Sequence, residues 1–85
     1  MNTDTTITQD EALAMLADCF MAEAGSLGPE TARDAIAGWD SMGALMFIAE
    51  LDDRFGIELT AEDSRAMTRV ADALDFLRAR GVLVG

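Results

Sequence analysis

Residues 38–56 read Gly38-Trp39-Asp40-Ser41-Met42-Gly43-Ala44-Leu45-Met46-Phe47-Ile48-Ala49-Glu50-Leu51-Asp52-Asp53-Arg54-Phe55-Gly56. The stretch predicts a helix from Ser41 to Phe55. Asp and Ser are favoured helix starts, and Gly56 is suited to the left-handed position that ends one. At about 100° per residue, Ala44, Phe47, Ile48, Leu51 and Phe55 fall on one face, the expected core stripe. Met42, Leu45, Met46 and Ala49 form a second apolar stripe on roughly the opposite side. One small domain seldom buries both sides of a helix, so the second stripe is either buried against another element or a second copy of the chain, or kept for a partner.

Helices are expected on both sides of this stretch. Upstream, Thr8-Gln9-Asp10-Glu11 reads as a capping box, and Leu13, Leu16, Ala17 and Phe20 recur at helical spacing. They predict a first helix over about 9–23, ended by Gly25 and Gly28-Pro29. Residues 25–40 form a long connection held down by Ile36 and Trp39, with a short helical turn between Thr31 and Ala37. Long loops inside small domains are uncommon unless they serve a function. Downstream, Thr60 caps a short helix over about 61–67. Thr68 caps a final one over about 69–80, where Val70, Ala73, Leu74 and Leu77 keep helical spacing and Gly81 ends it. The expected architecture is all-α: a small bundle of three longer helices and one short helix, with a long loop between the first and second. A single domain is expected over 1–85, frayed at 1–7 and 82–85.

Composition narrows the chemistry. The chain has 85 residues, with 6 basic and 16 acidic side chains, and a formal net charge of −10. All the cations are arginine; lysine, histidine and tyrosine are absent, and Cys19 is the single cysteine. Imidazole bases, histidine metal ligands and Schiff-base lysines are therefore missing. One thiol makes neither a disulfide framework nor a thiolate metal site. The acidic clusters lack the loop pattern of a dedicated calcium site, so no metal is expected. An acidic surface repels phosphate backbones, which argues against nucleic acid and for partners with basic patches. No apolar run is long enough to span a bilayer, and residues 1–12 lack the features of a secretory signal, so a cytoplasmic monomer is expected. The acidity is uneven: residues 1–34 carry −6, residues 40–63 carry −6 and residues 64–85 carry +2.

Asp40-Ser41 at a loop-to-helix junction is, taken alone, an ordinary helix cap. Taken together with two downstream segments, it makes the sequence resemble the acyl carrier proteins of the phosphopantetheine-binding superfamily. Asp40-Ser41-Met42 is similar to the family's modified Asp-Ser-Leu/Met motif. Glu50-Leu51-Asp52-Asp53-Arg54-Phe55-Gly56-Ile57-Glu58-Leu59 resembles its acidic-Phe-Gly-Ile-Glu-Ile stretch. Met67 to Leu77 resembles the start of its last helix. The resemblance covers about residues 36–78.

It implies that a phosphopantetheinyl transferase attaches 4′-phosphopantetheine from coenzyme A to Ser41. The arm's thiol would then hold acyl groups as thioesters and present them to partner enzymes, in fatty-acid or polyketide synthesis or a more specialised pathway. The domain itself would not be an enzyme. Asp40 either only starts the helix or also orients Mg2+ during modification. Met42, Leu45, Met46, Ala49, Glu50 and Asp53 are the expected partner-binding residues, the partners being acyl-loading and acyl-transferring enzymes with basic docking patches. Phe47, Ile48, Leu51, Leu59, Met67 and Leu74 are expected to line either a plain core or an acyl-chain shelter, with bulky Phe47 restricting the latter.

The residues Gly43 to Ala49 carry no charge, where the fatty-acid type usually places acids soon after the serine. Trp39 and Met42-Gly43 look more like dedicated carriers of specialised pathways. D-alanyl carriers share Asp-Ser-Met-Gly, so an aminoacyl carrier is the alternative reading. A small acidic adaptor with no prosthetic group is the alternative from a different class, and a minimal carboxylate-pair enzyme is a remote third.

Overall fold

Thr8 starts the first helix as its pattern predicts. Its hydroxyl accepts from the Glu11 N–H at 3.2 Å, and the Glu11 carboxylate accepts from the Thr8 N–H at 2.9 Å. The computed structural model describes residues 6–84. Its elements run β1 (Ile7–Thr8), α1 (Gln9–Cys19), a 3-10 turn (Arg33–Ala35), α2 (Ser41–Phe55), α3 (Ala61–Ala66), α4 (Val70–Ala79) and β2 (Leu83–Val84). The expected bundle of three longer helices and one short helix, with a long first connection, is the observed architecture. Among the described residues, no helix is long and apolar enough to cross a membrane.

The first helix stops four residues short of its expected end. The Ala22 N–H donates to the Ala17 carbonyl at 2.8 Å and the Met21 N–H to that of Asp18 at 3.3 Å. This is the double closure that ends helices on a left-handed residue, a position usually given to glycine. Here Met21 takes it, with φ of 55°. The terminator is therefore a backbone closure on a methionine, not Gly25. No residue-type rule marks such a stop.

The second helix has the bounds its sequence predicts. Asp40 caps it by accepting from the Gly43 N–H at 3.0 Å, and Gly56 ends it with φ of 68°. Its core face is Gly43, Phe47, Leu51 and Phe55. Burial of each large side chain on that face contributes about 1.5–3 kcal/mol. Ala44 and Ile48, expected in the core stripe, are only half-buried because they border an open groove toward α3. Leu59, Met67 and Leu74 are buried as expected.

The long connection is ordered by the last helix. The Thr31 and Pro29 carbonyls accept from the Val70 and Ala71 N–H groups at 3.0 and 2.7 Å, and the Arg33 N–H donates to the Thr68 carbonyl at 2.8 Å. Donors left unpaired at the start of α4 thus find acceptors in the loop carbonyls. Thr68 does not cap α4 with its side chain, contrary to expectation. Instead the Asp72 carboxylate reaches back and accepts from the Thr68 N–H, the Thr68 hydroxyl and the Arg69 N–H at 2.8, 3.1 and 3.3 Å. The Thr68 N–H, first among these donors, holds the Asp72 carboxyl below its ordinary range. The short third helix does follow its cap, with the Asp63 N–H donating to the Thr60 hydroxyl at 3.0 Å, and ends one residue early at Ala66.

Two glycines set the distance between the loop and the helices. A Cβ built on Gly38 would overlap the Phe20 carbonyl, and one built on Gly43 would overlap the Gly38 carbonyl. Three stretches of backbone are therefore nested, from the end of α1 through the loop to the first turn of α2. Around them, Trp39 stacks on Phe20 with centroids 4.6 Å apart, and Phe20 meets Phe47 edge-on at 6.0 Å. Ile36 and Trp39 are buried, as anchors of the loop should be.

The expectation of frayed ends is corrected at Ile7 and at residues 82–84. β1 and β2 pair in parallel, Ile7 with Leu83 and Thr8 with Val84, and the Ile7 N–H donates to the Val82 carbonyl at 2.8 Å. Ile7, Val82 and Leu83 are buried, so the apolar tail gains both a partner backbone and core contacts. Of the other positions expected to fray, Thr6 is exposed and outside any strand, and residues 1–5 and 85 lie outside the described residues.

The backbone makes two substitutions informative. Met21 is 92% exposed, so M21G relieves a left-handed residue without loss of packing. Its expected effect is a gain of about 1 kcal/mol in urea unfolding, the scale of the strain on a residue bearing a Cβ. G38A and G43A force a methyl group into backbone that cannot rotate away. Each should destabilise by about 3 kcal/mol, at the upper end of overpacking costs, and a midpoint within error of the parent would show that the nested contact is not needed.

Candidate functional site

The close packing at Gly38 and Gly43 delivers Asp40 and Ser41 to the surface. Trp39, buried against Phe20, fixes the chain one residue before the cap. Asp40 spends one carboxylate oxygen on the Gly43 N–H. Ser41, the first residue of α2, is exposed. The first-turn N–H groups of a helix lack intrahelical partners, and the dipole places partial positive charge there. A hydroxyl at this position is accessible to a reagent in solvent, and an anion bonded to it is electrostatically favoured. Asp40 and Ser41 are thus adjacent, with Asp40 engaged as a cap.

The second stripe of α2 is exposed beside them. Met42, Leu45 and Met46 are 68%, 61% and 53% exposed, and Ala49 is exposed too. Burial of this stripe against α1 or the loop, the competing expectation, does not occur. Met21 stands next to it: Met21, Met42 and Met46 border one shallow depression with Gly38 and Asp40. Farther along the helix, Glu50 pairs with Arg54 at 3.5 Å and Asp53 is exposed. The face is therefore apolar at the Ser41 end and acidic only in its last turns.

The interior offers no straight path for a long chain at its aromatic end. Phe47 is fully buried and, with Phe20 and Trp39, occupies the space between α1 and α2. Leu51, Leu59, Met67 and Leu74 complete a packed core, so these residues behave as core. Ile48 differs: with Ala44, Leu45 and Ala61 it walls a groove of about 270 Å³ between α2 and α3, which begins at Ser41.

Cys19 is buried beside this region and lines the same depression as Asp40 and Met42. Burial pushes its thiol up to about 11, with the Glu50 and Asp18 carboxylates adding to the effect. It is therefore a protonated packing residue.

Several residues of the site carry no plain signal in the sequence. Gly38 and Gly43 bracket the Asp-Ser pair, and that bracketing is the available sign of close backbone approach. Arg33 is another. Its guanidinium donates to the Ser64 and Met67 carbonyls at 2.8 and 3.1 Å and lies 4.9 Å over the Trp39 ring. Nothing local in the sequence couples residue 33 to residues 64 and 67.

No protein-family model matches the chain. An acyl carrier protein from Syntrophus aciditrophicus (strain SB) is 24% identical over 74 residues, covering 87% of this chain and 92% of that protein. Over most of its length, then, the chain is similar in sequence to a protein named as an acyl carrier protein, and its helical architecture agrees with that likeness.

Proposed function

We propose that the protein is a carrier whose Ser41 bears a 4′-phosphopantetheine arm. The observation that carries the reading is Ser41 itself: an exposed hydroxyl on the first residue of a helix, behind an Asp cap, in a chain related over most of its length to an acyl carrier protein. In the loading step the Ser41 oxygen attacks the phosphorus of coenzyme A that bears the pantetheine. The bond to the 3′,5′-ADP portion breaks, and that portion leaves. The hydroxyl proton passes to a base on the transferase, because this chain has no histidine or lysine to accept it. Asp40 keeps one carboxylate oxygen free of the Gly43 N–H, which leaves it available to a metal ion held by the transferase. When attached, the arm supplies a thiol that holds the cargo as a thioester.

Partner enzymes dock on the exposed stripe of α2. Met42, Leu45, Met46 and Ala49 supply the apolar contact, and Glu50 and Asp53 an acidic margin. Methionines suit a surface that meets more than one partner. The uncharged run from Gly43 to Ala49 favours recognition by shape and apolar contact over recognition by a basic patch at the serine, and with it a specialised pathway over general fatty-acid synthesis. The aromatic filling of the interior favours small cargo, a short acyl or aminoacyl group, over a long alkyl chain.

S41A is expected to abolish the phosphopantetheine mass increment after incubation with coenzyme A and a transferase. Appearance of that increment on the S41A protein removes the assignment. L45E and M46E, both at exposed positions, should leave the melting temperature unchanged and lower kcat/KM for arm loading or acyl transfer at least about tenfold, the scale of a contact hot spot. In the parent protein, raising salt from about 50 to about 500 mM should change that rate by less than about threefold, because an apolar contact is little screened. A steep fall with salt would show charge recognition instead.

A further inference from the structure

The groove that starts at Ser41 has one polar end, and every side chain there other than Ser41 offers hydrogen-bond donors without an acidic partner. Arg33 and Arg65 line it, as does Ser64. The Ser64 hydroxyl is buried, at 2% exposure, and has no hydrogen-bond partner. Arg33 uses one nitrogen on the Ser64 and Met67 carbonyls, which leaves the rest of its fork of N–H groups. Three of the six arginines form ion pairs: Arg54, Arg69 and Arg78. Arg33 and Arg65 form none among the described residues. Asp34 lines an adjacent depression with both of them and forms an ion pair with neither. In a chain of net charge −10, half-buried Arg33, exposed Arg65 and a buried unpartnered hydroxyl on one groove make a local set of donors suited to an acceptor-rich anion.

The position of this end identifies the anion. Arg33 lies over Trp39, two residues before Ser41, and is bonded to the C-terminal half of α3, which supplies Ser64 and Arg65. The donors therefore gather at the Ser41 end. The walls of Ala44, Leu45, Ile48 and Ala61 continue from there as apolar surface. We propose that the polar end of the α2–α3 groove holds the phosphodiester of the arm attached to Ser41, with Arg33 and Arg65 as its cationic partners and the Ser64 hydroxyl as a third donor. The proposal rests on the reading of Ser41 as the attachment site. Ser41 lines the same groove as these donors, so a phosphodiester on its oxygen would share that groove with them. Holding it there directs the pantetheine along the apolar walls, not out over the methionine stripe. Arg33, Arg65 and Ser64 are then positioning residues: they set the direction in which the arm leaves the protein.

The test compares apo and holo protein by NMR, after intact-mass analysis of the loaded sample. Absence of the mass increment at Ser41 defeats the attachment reading and takes this proposal with it. With the increment present, the Arg33 and Arg65 Nε–H resonances should move on loading. The phosphorus resonance of the arm should move in R65Q and S64A relative to the parent. R65Q and S64A are read because R33A also removes a strut of α3; R33K, which keeps the charge and loses the fork, should give an intermediate phosphorus shift. Unchanged arginine resonances on loading, with the same phosphorus shift in parent, R65Q and S64A, overturn the proposal. Arginine shifts that appear only when the thiol carries a carboxylate-bearing acyl group, and not in the free-thiol holo protein, also overturn it, by assigning the groove to cargo in place of the arm.

Discussion

Close approach of three backbone segments governs this fold. The Phe20 carbonyl sits where a side chain on Gly38 would be, and the Gly38 carbonyl sits where one on Gly43 would be. Two absent methyl groups let the long loop pass between the end of α1 and the start of α2. The Phe20–Trp39–Phe47 cluster then closes over the crossing. Aromatic stacking of this kind adds about 0.5–1.5 kcal/mol per pair beyond area burial, but it needs the backbones to be this near first. The position of Ser41 results from that crossing, since Trp39 and Gly43 are both fixed and Ser41 lies between them.

The same crossing explains why α2 can keep an apolar face in water. The stripe of Met42, Leu45 and Met46 stays exposed, bordered at its start by Met21, because the loop is drawn down beside Gly43 and does not cover the front of the helix. Exposed methionines cost some solubility, and the chain's strong negative charge offsets this by mutual repulsion between copies. Acidity and apolar exposure are in this sense complementary features of one surface. On α2 the acids Glu50, Asp52 and Asp53 fall in the last turns and leave Met42 to Ala49 uncharged.

Much of this is legible in the sequence, and the parts that are not share a physical reason. The second helix is readable to the residue because its start, its stop and its period are all local: an Asp-Ser pair, a glycine and a repeating apolar face. The caps at Thr8 and Thr60 are readable for the same reason, and so is Ser41 as an exposed first residue. The end of α1 is not, since Met21 takes a conformation that its side chain disfavours and only the closure onto Ala17 and Asp18 imposes. The start of α4 is misleading because its donors are met by Asp72 and by loop carbonyls some forty residues upstream. The pairing of Ile7 with Leu83 joins opposite ends of the chain, which no local pattern encodes. Arg33 is legible only once residues 64 and 67 are placed beside it.

That pairing of chain ends has a mechanical side. β1 and β2 run parallel, so the chain before Ile7 and the chain after Val84 leave the pair at opposite ends. Tension drawn through the polypeptide loads the inter-strand hydrogen bonds side by side, as a shear, and does not peel them apart one at a time. A tether on either flank therefore pulls against this small clamp and the buried side chains of Ile7 and Leu83 before it reaches α1 or α4. Such a pull falls on the pair of strands farthest in sequence from Ser41.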